Sequence, residues 1–299
     1  SLTVITTLAV TLSALAVVLN INYLVLTKPL PYPEADKLIV TDQQETINGK
    51  SQYGFQILSA QYHLYLDDTY IDEMALMSVS GGRLKDAKDE PYIDALQVTP
   101  EYFSLLGVPM HLGRSLNNKE GVNDKQTVTV LSFETWQTHF NADPDIIGTY
   151  TRIGNDKYQI IGVTAEDFSQ PEVFGRFDIG AWLSFSYEIS TASHWNNITG
   201  GFNGIAKLKP GVSLEQANAS LGEQINNLYQ SQENVAPNTS IGARFVPIKN
   251  KIIGDSDEMA YVLLIGVITL LFIAVTNICN LFFSRAAEKK RTMAIQAAM

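Results

Sequence analysis

Few residues in this chain have the type and spacing that chemistry requires. Gly49-Lys50-Ser51 has the form of the end of a phosphate-binding loop, where backbone amides and a lysine hold phosphate oxygens. That loop needs a glycine five positions before Gly49, and the residue there is Gln44, so the triplet reads as a surface turn. The four histidines, His63, His111, His139 and His194, lack HExxH or His/Cys ligand spacing. Helical His63 reads as a packed or surface residue. No serine sits in the Gly-x-Ser-x-Gly elbow that exposes a nucleophile. Asp67-Asp68, Asp72-Glu73 and the acids of residues 86–90 lack the glycine and oxygen spacing of a calcium loop and read as solvated turns. Trp136, Trp182 and Trp195 read as core anchors. Asn197-Ile-Thr, Asn218-Ala-Ser and Asn238-Thr-Ser match the glycosylation triplet, which matters only in a eukaryotic secretory protein. Cys279 stands alone, so no disulfide forms within the chain. The expectation is a protein without catalytic, cofactor or metal residues of its own.

What the sequence does carry is segregation. Residues 1–27 and 259–284 contain no Asp, Glu, Lys or Arg. At about 1.5 Å per residue, a helix of about 20 residues crosses a hydrocarbon core of about 30 Å, and both runs suffice. A signal peptide is the rival reading of the first run, with Ala14-Leu15-Ala16 as a cleavage motif. No basic segment precedes it, however, and the apolar stretch continues past Ala16. The formal charge is −10 and the tail after Ser284 carries +3, which leaves −13 on residues 28–258. Arg285, Lys289, Lys290 and Arg291 follow the second run directly, and the positive-inside rule places this tail in the cytoplasm and the acidic block outside. So acidic a block excludes nucleic-acid binding, which needs cations to replace phosphate counterions. The missing initiator Met and the end at Met299 inside a basic-apolar helix suggest a longer natural chain.

The elements follow from periodicity. Thr6, Ala9, Ser13, Ala16 and Asn20 share one face of the first run, and Gly266, Thr269, Ile273, Asn277, Asn280 and Ser284 one face of the second. Small residues let helices approach, so these faces read as packing surfaces. Pro29, Pro31 and Pro33 end the first helix. Residues 38–41 read as a strand. Tyr53, Ile57, Ala60 and Leu64 give an amphipathic helix over 51–66, and residues 74–80 a strand closed by Gly81-Gly82. A matching unit holds strands at 204–209 and 241–247. Between them lies a helix capped by Ser213 through the Ser-x-x-Gln box, with Ala217, Leu221, Ile225 and Leu228 inward. In the middle, Thr99-Pro100 opens a short helix that Gly107 closes. Residues 128–131 form a buried strand, and 132–140 a helix ended by Asp143-Pro144. Residues 150–153 and 158–163 flank the hairpin signal Gly154-Asn155-Asp156. The fold class is therefore an α+β domain flanked by two transmembrane α-helices. Residues 28–258 form the outer domain. In it, 36–80 and 202–250 make one strand-helix-strand subdomain, and 90–200 a strand-rich insertion.

In order along the chain, several motifs resemble one family. They are Leu30-Pro31-Tyr32-Pro33; Val98-Thr99-Pro100-Glu101-Tyr102-Phe103 with Leu106-Gly107-Val108 and Gly113-Arg114; and Val130-Leu131-Ser132 with Trp136, Phe140, Asp143-Pro144 and Ile147-Gly148. Ile160-Ile161-Gly162-Val163, Leu208-Lys209-Pro210-Gly211-Val212-Ser213, Asn277, Asn280-Leu281, Arg285-Ala286-Ala287 and Arg291-Thr292-Met293-Ala294-Ile295 complete the set. No single motif is specific, but the ordered set spans the chain and is similar to MacB/FtsX-type permeases of bacterial ABC transporters. The resemblance implies a porter-like subdomain with an insertion, an inner-membrane site with the domain in the periplasm, and further spans after Met299. It implies an ABC ATPase subunit as partner, a permease dimer or pseudo-dimer, and a periplasmic adaptor as a further candidate. It raises the segment with Arg285, Lys289, Lys290, Arg291, Met293 and Ile295 from a lipid-facing anchor to an ATPase-coupling candidate. A two-span sensory receptor with a periplasmic ligand-binding domain has the same topology and stands as the alternative.

Overall fold

The computed structural model describes residues 2–297 except 54–56, 88, 121–126, 174, 176, 186–194, 196–201, 234, 236 and 255. It divides into two compact units, residues 30–252 and residues 1–29 with 253–299.

The strands of the first unit are β1 (Ile39–Ile47), β2 (Lys50–Tyr53), β3 (Ile71–Arg83), β4 (Tyr92–Val98), β5 (Met110–Gly113), β6 (Val128–Leu131), β7 (Tyr150–Ile153), β8 (Asp156–Thr164), β9 (Ile179–Ser184), β10 (Phe202–Leu208) and β11 (Thr239–Pro247). Its helices are α2 (Leu58–Tyr65), α3 (Glu101–Leu106), α4 (Phe133–His139), α5 (Leu214–Gln230) and α6 (Ile248–Ile253). The strands join one sheet in the order β11-β1-β10-β3-β4-β9-β6-β8-β5, with β2 on β1 and β7 on β8.

In β11-β1-β10-β3 every neighbour is antiparallel. Strands β1 and β3, joined through α2, lie on either side of β10, and β10 and β11, joined through α5, lie on either side of β1. These are two interleaved split β-α-β units, the ferredoxin-like arrangement. Their helices cover one face over Ile57, Leu64, Leu76, Leu221, Ile225 and Phe245, all buried. β3 reaches beyond this group: its first half pairs with β10 and its second half with β4. From β4 onward the sheet is mixed, with parallel β4·β9 and β6·β8 contacts. A second core, around Leu131, Trp136, Ile160 and Leu183, lies under α4.

Several local expectations change. The helix expected over 51–66 is only α2, because Lys50–Tyr53 folds back as β2. Asn48 and Gly49 have φ of 50° and 77°, the left-handed pair that a two-residue hairpin needs. Asn-Gly thus outweighs the helical spacing of Tyr53. β3 also runs through Gly81-Gly82 instead of stopping there. A Cβ on Gly82 would lie 2.6 Å from the Gly154 nitrogen, so glycine is there for the close approach of the β7–β8 turn. Thr99 does not cap α3; its hydroxyl accepts from the Leu76 amide at 3.0 Å. Gly107 does close that helix, at φ 58°. Ser132 and Ser213 accept from the Thr135 and Gln216 amides, both at 3.1 Å, as N-caps.

The outer edge of β11 is closed by side chains of α5. Asn218, Gly222, Asn226 and Gln230 recur every four residues and so share one face. The Asn218 amide bonds both the amide and the carbonyl of Phe245. Asn226 accepts from the Ile241 amide at 3.1 Å, and Gln230 donates to the Thr239 carbonyl at 2.7 Å. A Cβ on Gly222 would sit 3.1 Å from the Ala243 carbonyl oxygen. An edge that would otherwise template another strand is thereby occupied.

The second unit pairs two helices. α1 (Leu2–Asn22) passes into a π-helical turn, Tyr23–Thr27, which the prolines then end. α7 (Ser256–Ala297) contains the stretch Tyr261–Asn280, long and apolar enough to cross a membrane; among the described residues Ala9–Asn22 forms a shorter apolar helix. On α7, Val267 and Ala274 are buried and Leu264, Leu271 and Ile278 half-buried, at alternating spacings of three and four. On α1 the matching face is Thr11, Leu15 and Val18, half-buried, with Asn22 buried.

Candidate functional site

Two segments join the sheet domain to the helical unit, residues 30–38 and 246–252, and both seat on one buried cluster. Tyr32, Leu38 and Ile248 are buried in it, and Leu30, Ala35, Val246 and Ile252 pack against it. The centre of that cluster is α3, whose Tyr102, Phe103, Leu105 and Leu106 are all buried. The segments also meet directly, the Ile248 amide donating to the Leu38 carbonyl at 2.9 Å.

Each segment has its own polar fastening. In the first, Glu34 accepts from Lys37 and from Lys207 of β10, the latter at 3.0 Å. Those hydrogen bonds, followed by the two ammonium charges, hold its carboxyl below the usual range. Pro33 seats against Gly107, where a Cβ would come within 2.4 Å of the proline ring. The Tyr32 hydroxyl donates to the Ser169 carbonyl at 2.9 Å, 137 residues away. Burial first, and the Glu172 carboxylate second, push the Tyr32 phenol well above its ordinary value. In the second segment, Lys251 donates at 3.1 Å to buried Asp42 of β1, which also accepts from Arg244 of β11 at 2.8 Å.

Ser169 belongs to the loop after β8, which forms one wall of a cavity of about 470 Å³ beside α4. Phe168, Ser169, Gln170 and Glu172 face Phe133, Glu134, Gln137 and Thr138 of α4, with Asp178 and Trp182 between. Phe168 and Trp182 rings lie 5.5 Å apart. The carboxylates give this hollow an acidic lining.

Several residues singled out for chemistry take structural roles. Asp67 accepts from the amides of Thr69, Tyr70 and Ile71, so it organises the entry to β3 and is not merely solvated. Asp86 pairs with Arg152 at 3.0 Å, and Ser104 donates to Glu73. Buried Trp195 packs its ring at a tilt against His63 and Tyr229, burial keeping the His63 imidazole below its ordinary pKa. Trp136 donates to the Asp143 carbonyl at 2.8 Å. Among the described residues no group of three or more His, Cys, Asp or Glu is arranged to hold a metal. Asn218 is spent on β11, which closes that glycosylation triplet, while His194 and Asn197 lie outside the described residues.

The helical residues are distributed as follows. Ala9, Ser13, Ala16, Gly266 and Asn280 are exposed, off the α1–α7 seam, which is built from bulkier residues. α7 continues unbroken through the segment from Arg285 to Ile295, where Met293 is exposed. The side chains of Asn277, Arg285, Lys289, Lys290, Arg291 and Ile295 lie outside the described ones. Sequence reasoning missed the Tyr32–Ser169 and Asp42–Lys251 contacts. Neither pair leaves a local signal, since the partners meet only through the sheet order.

A search of curated proteins returned no match. Solved structures similar to the chain include a domain of a candidate permease from Porphyromonas gingivalis, at 14% identity and TM-score 0.49, covering 72% of this chain and 91% of that one. The periplasmic region of MacB from Actinobacillus actinomycetemcomitans is similar at 18% identity and TM-score 0.48, covering 73% and 92%. The extracellular domain of the noncanonic ABC-type transporter YknZ from Gram-positive bacteria is similar at 12% and 0.44, covering 67% and 98%. The sequence profile of the MacB-like periplasmic core domain matches residues 3–224. By that match the chain belongs to the MacB-like periplasmic core domain family, found in permeases of ABC transporters.

Proposed function

We propose that this chain is the membrane subunit of a bacterial ABC transporter, working in the inner membrane with residues 28–258 in the periplasm. A separate ATPase subunit hydrolyses ATP in the cytoplasm, and the two spans, residues 1–27 and 259–284, carry its motion to the periplasmic domain. The work done there is efflux or extraction of a substrate. In this reading residues 36–80 and 202–250 form the porter-like subdomain and 90–200 the insertion. Arg285, Lys289, Lys290, Arg291, Met293 and Ile295 contact the ATPase. The positions Ala9, Ser13, Ala16, Gly266, Asn277 and Asn280 pack on helices of a dimer or pseudo-dimer. A periplasmic adaptor is a further candidate partner.

The family match over residues 3–224 carries this reading, since it takes in the first helix together with most of the outer domain. The seating of both connecting segments on one cluster supports a mechanical role, because a packed core passes displacement on without absorbing it. Deleting residues 289–295 is expected to abolish co-purification of an ABC ATPase while the chain still inserts. Undiminished co-purification would remove the coupling role from this segment.

A further inference from the structure

We propose that Tyr32 is a positioning residue that fastens the segment leaving the first helix to the wall of the cavity beside α4, so that shifting this segment resets the cavity. The proposal rests on reading residues 28–37 as the exit from a membrane span, and it adds the place where a displacement of that exit is felt.

The segment is held as a strap. Tyr32 follows the last helical residue, Thr27, by five positions, and prolines on either side of it restrict its backbone. It is 9% exposed, with its ring in the α3 cluster and its hydroxyl on the Ser169 carbonyl at 2.9 Å. Pro33 next to it rests on Gly107, at the end of α3. A pull along the strap therefore reaches Ser169 through a short, stiff path. On the far side, the loop containing Ser169 has further anchors, with Pro171 and Val173 buried. The Ala165 amide donates to the Pro109 carbonyl at 2.8 Å, and the Gln170 side chain donates to the Phe177 carbonyl at 3.0 Å. Phe168, beside Ser169, packs its ring at a tilt against Trp182, so a shift of the loop also moves an aromatic wall of the cavity. The other connecting segment is fastened elsewhere, to Asp42 on β1. The polar fastenings of the two connections thus fall on different parts of one sheet, and the Tyr32 bond reaches a residue that lines the cavity.

Hydrogen exchange on the full chain in detergent tests this without any ATPase, so the result stands apart from the permease reading. Tyr32→Phe removes one hydroxyl. It is expected to speed amide exchange in residues 165–173 about two- to tenfold, the loss of one hydrogen bond, with residues 239–247 unchanged. Pro33→Gly loosens the strap at its seat on Gly107, not at its bond to Ser169. It is expected to raise exchange in the same loop, and adding it to Tyr32→Phe should raise it no further. Wild-type exchange in residues 165–173 for Tyr32→Phe would overturn the fastening. An equal rise in residues 239–247 would reduce it to general destabilisation. A loop unaffected by Pro33→Gly would show that the bond transmits no displacement.

Discussion

At the scale of single residues, the polar groups of this protein hold loops and connectors in place. Glu120 shows the physics most clearly. It is 1% exposed and receives two bonds from Arg114, at 2.7 and 2.8 Å, and one from the Asn117 amide at 2.8 Å. Burial alone raises its pKa, but the guanidinium and the amide outweigh burial and hold the carboxyl below its usual value. A depressed folded pKa contributes stability above the unfolded value, about 4.3, and that stability is lost as pH falls through the folded pKa. Glu120→Gln is therefore expected to lower Tm by about 3–8 °C at pH 7 and by much less at pH 3. Melting curves at the two pH values check this; an equal deficit at both would mean that charge is not the cause. The single-residue roles were poorly legible beforehand. Asp67 reads locally as a surface acid, yet it accepts from three amides within the next four residues, a turn that its place in an acidic pair does not announce.

At the scale of elements, the strongest local signals came through and the intermediate ones did not. Ser213 with Gln216, Gly107 after α3 and the Gly154-Asn155 turn each satisfy backbone groups within a few residues, so neighbouring sequence decides them. The 51–66 helix failed because two local signals competed, and the Asn48-Gly49 hairpin fixed the backbone where Tyr53 lies. Helix α5 carries two faces. The apolar one, Ala217, Leu221 and Ile225, is readable as a period. The Asn218, Gly222, Asn226, Gln230 face reads as plain polar surface until β11 is laid against it. Asn218→Ala leaves the Phe245 amide and carbonyl without partners at a sheet edge. This is expected to cost about 1–3 kcal/mol and to speed exchange of the Phe245 amide. Chemical denaturation checks the energy, and a cost below about 0.5 kcal/mol would mean that water replaces the asparagine.

At the scale of the whole molecule, the charge distribution predicts a topology that a simple experiment checks. With Cys279 replaced by Ala, a cysteine at Asn48 is expected to react with a membrane-impermeant maleimide added outside intact spheroplasts. A cysteine at Lys289 should react only after lysis. Equal outside labelling at both positions would overturn the orientation. The sequence by itself determined the two apolar runs, the acidic block between them, the caps at Gly107 and Ser213 and most strands, because hydropathy and backbone preference act over a few residues. It also carried enough ordered motifs to indicate the family, and the profile match over residues 3–224 agrees. Only the tertiary structure decided that the strands join into one sheet, with β3 shared between its two parts. Only the tertiary structure brought Tyr32 to Ser169 and Lys251 to Asp42. Contacts between residues 137 and 209 positions apart depend on strand order, and strand order is settled by how all the apolar faces bury together, not by any one segment's pattern.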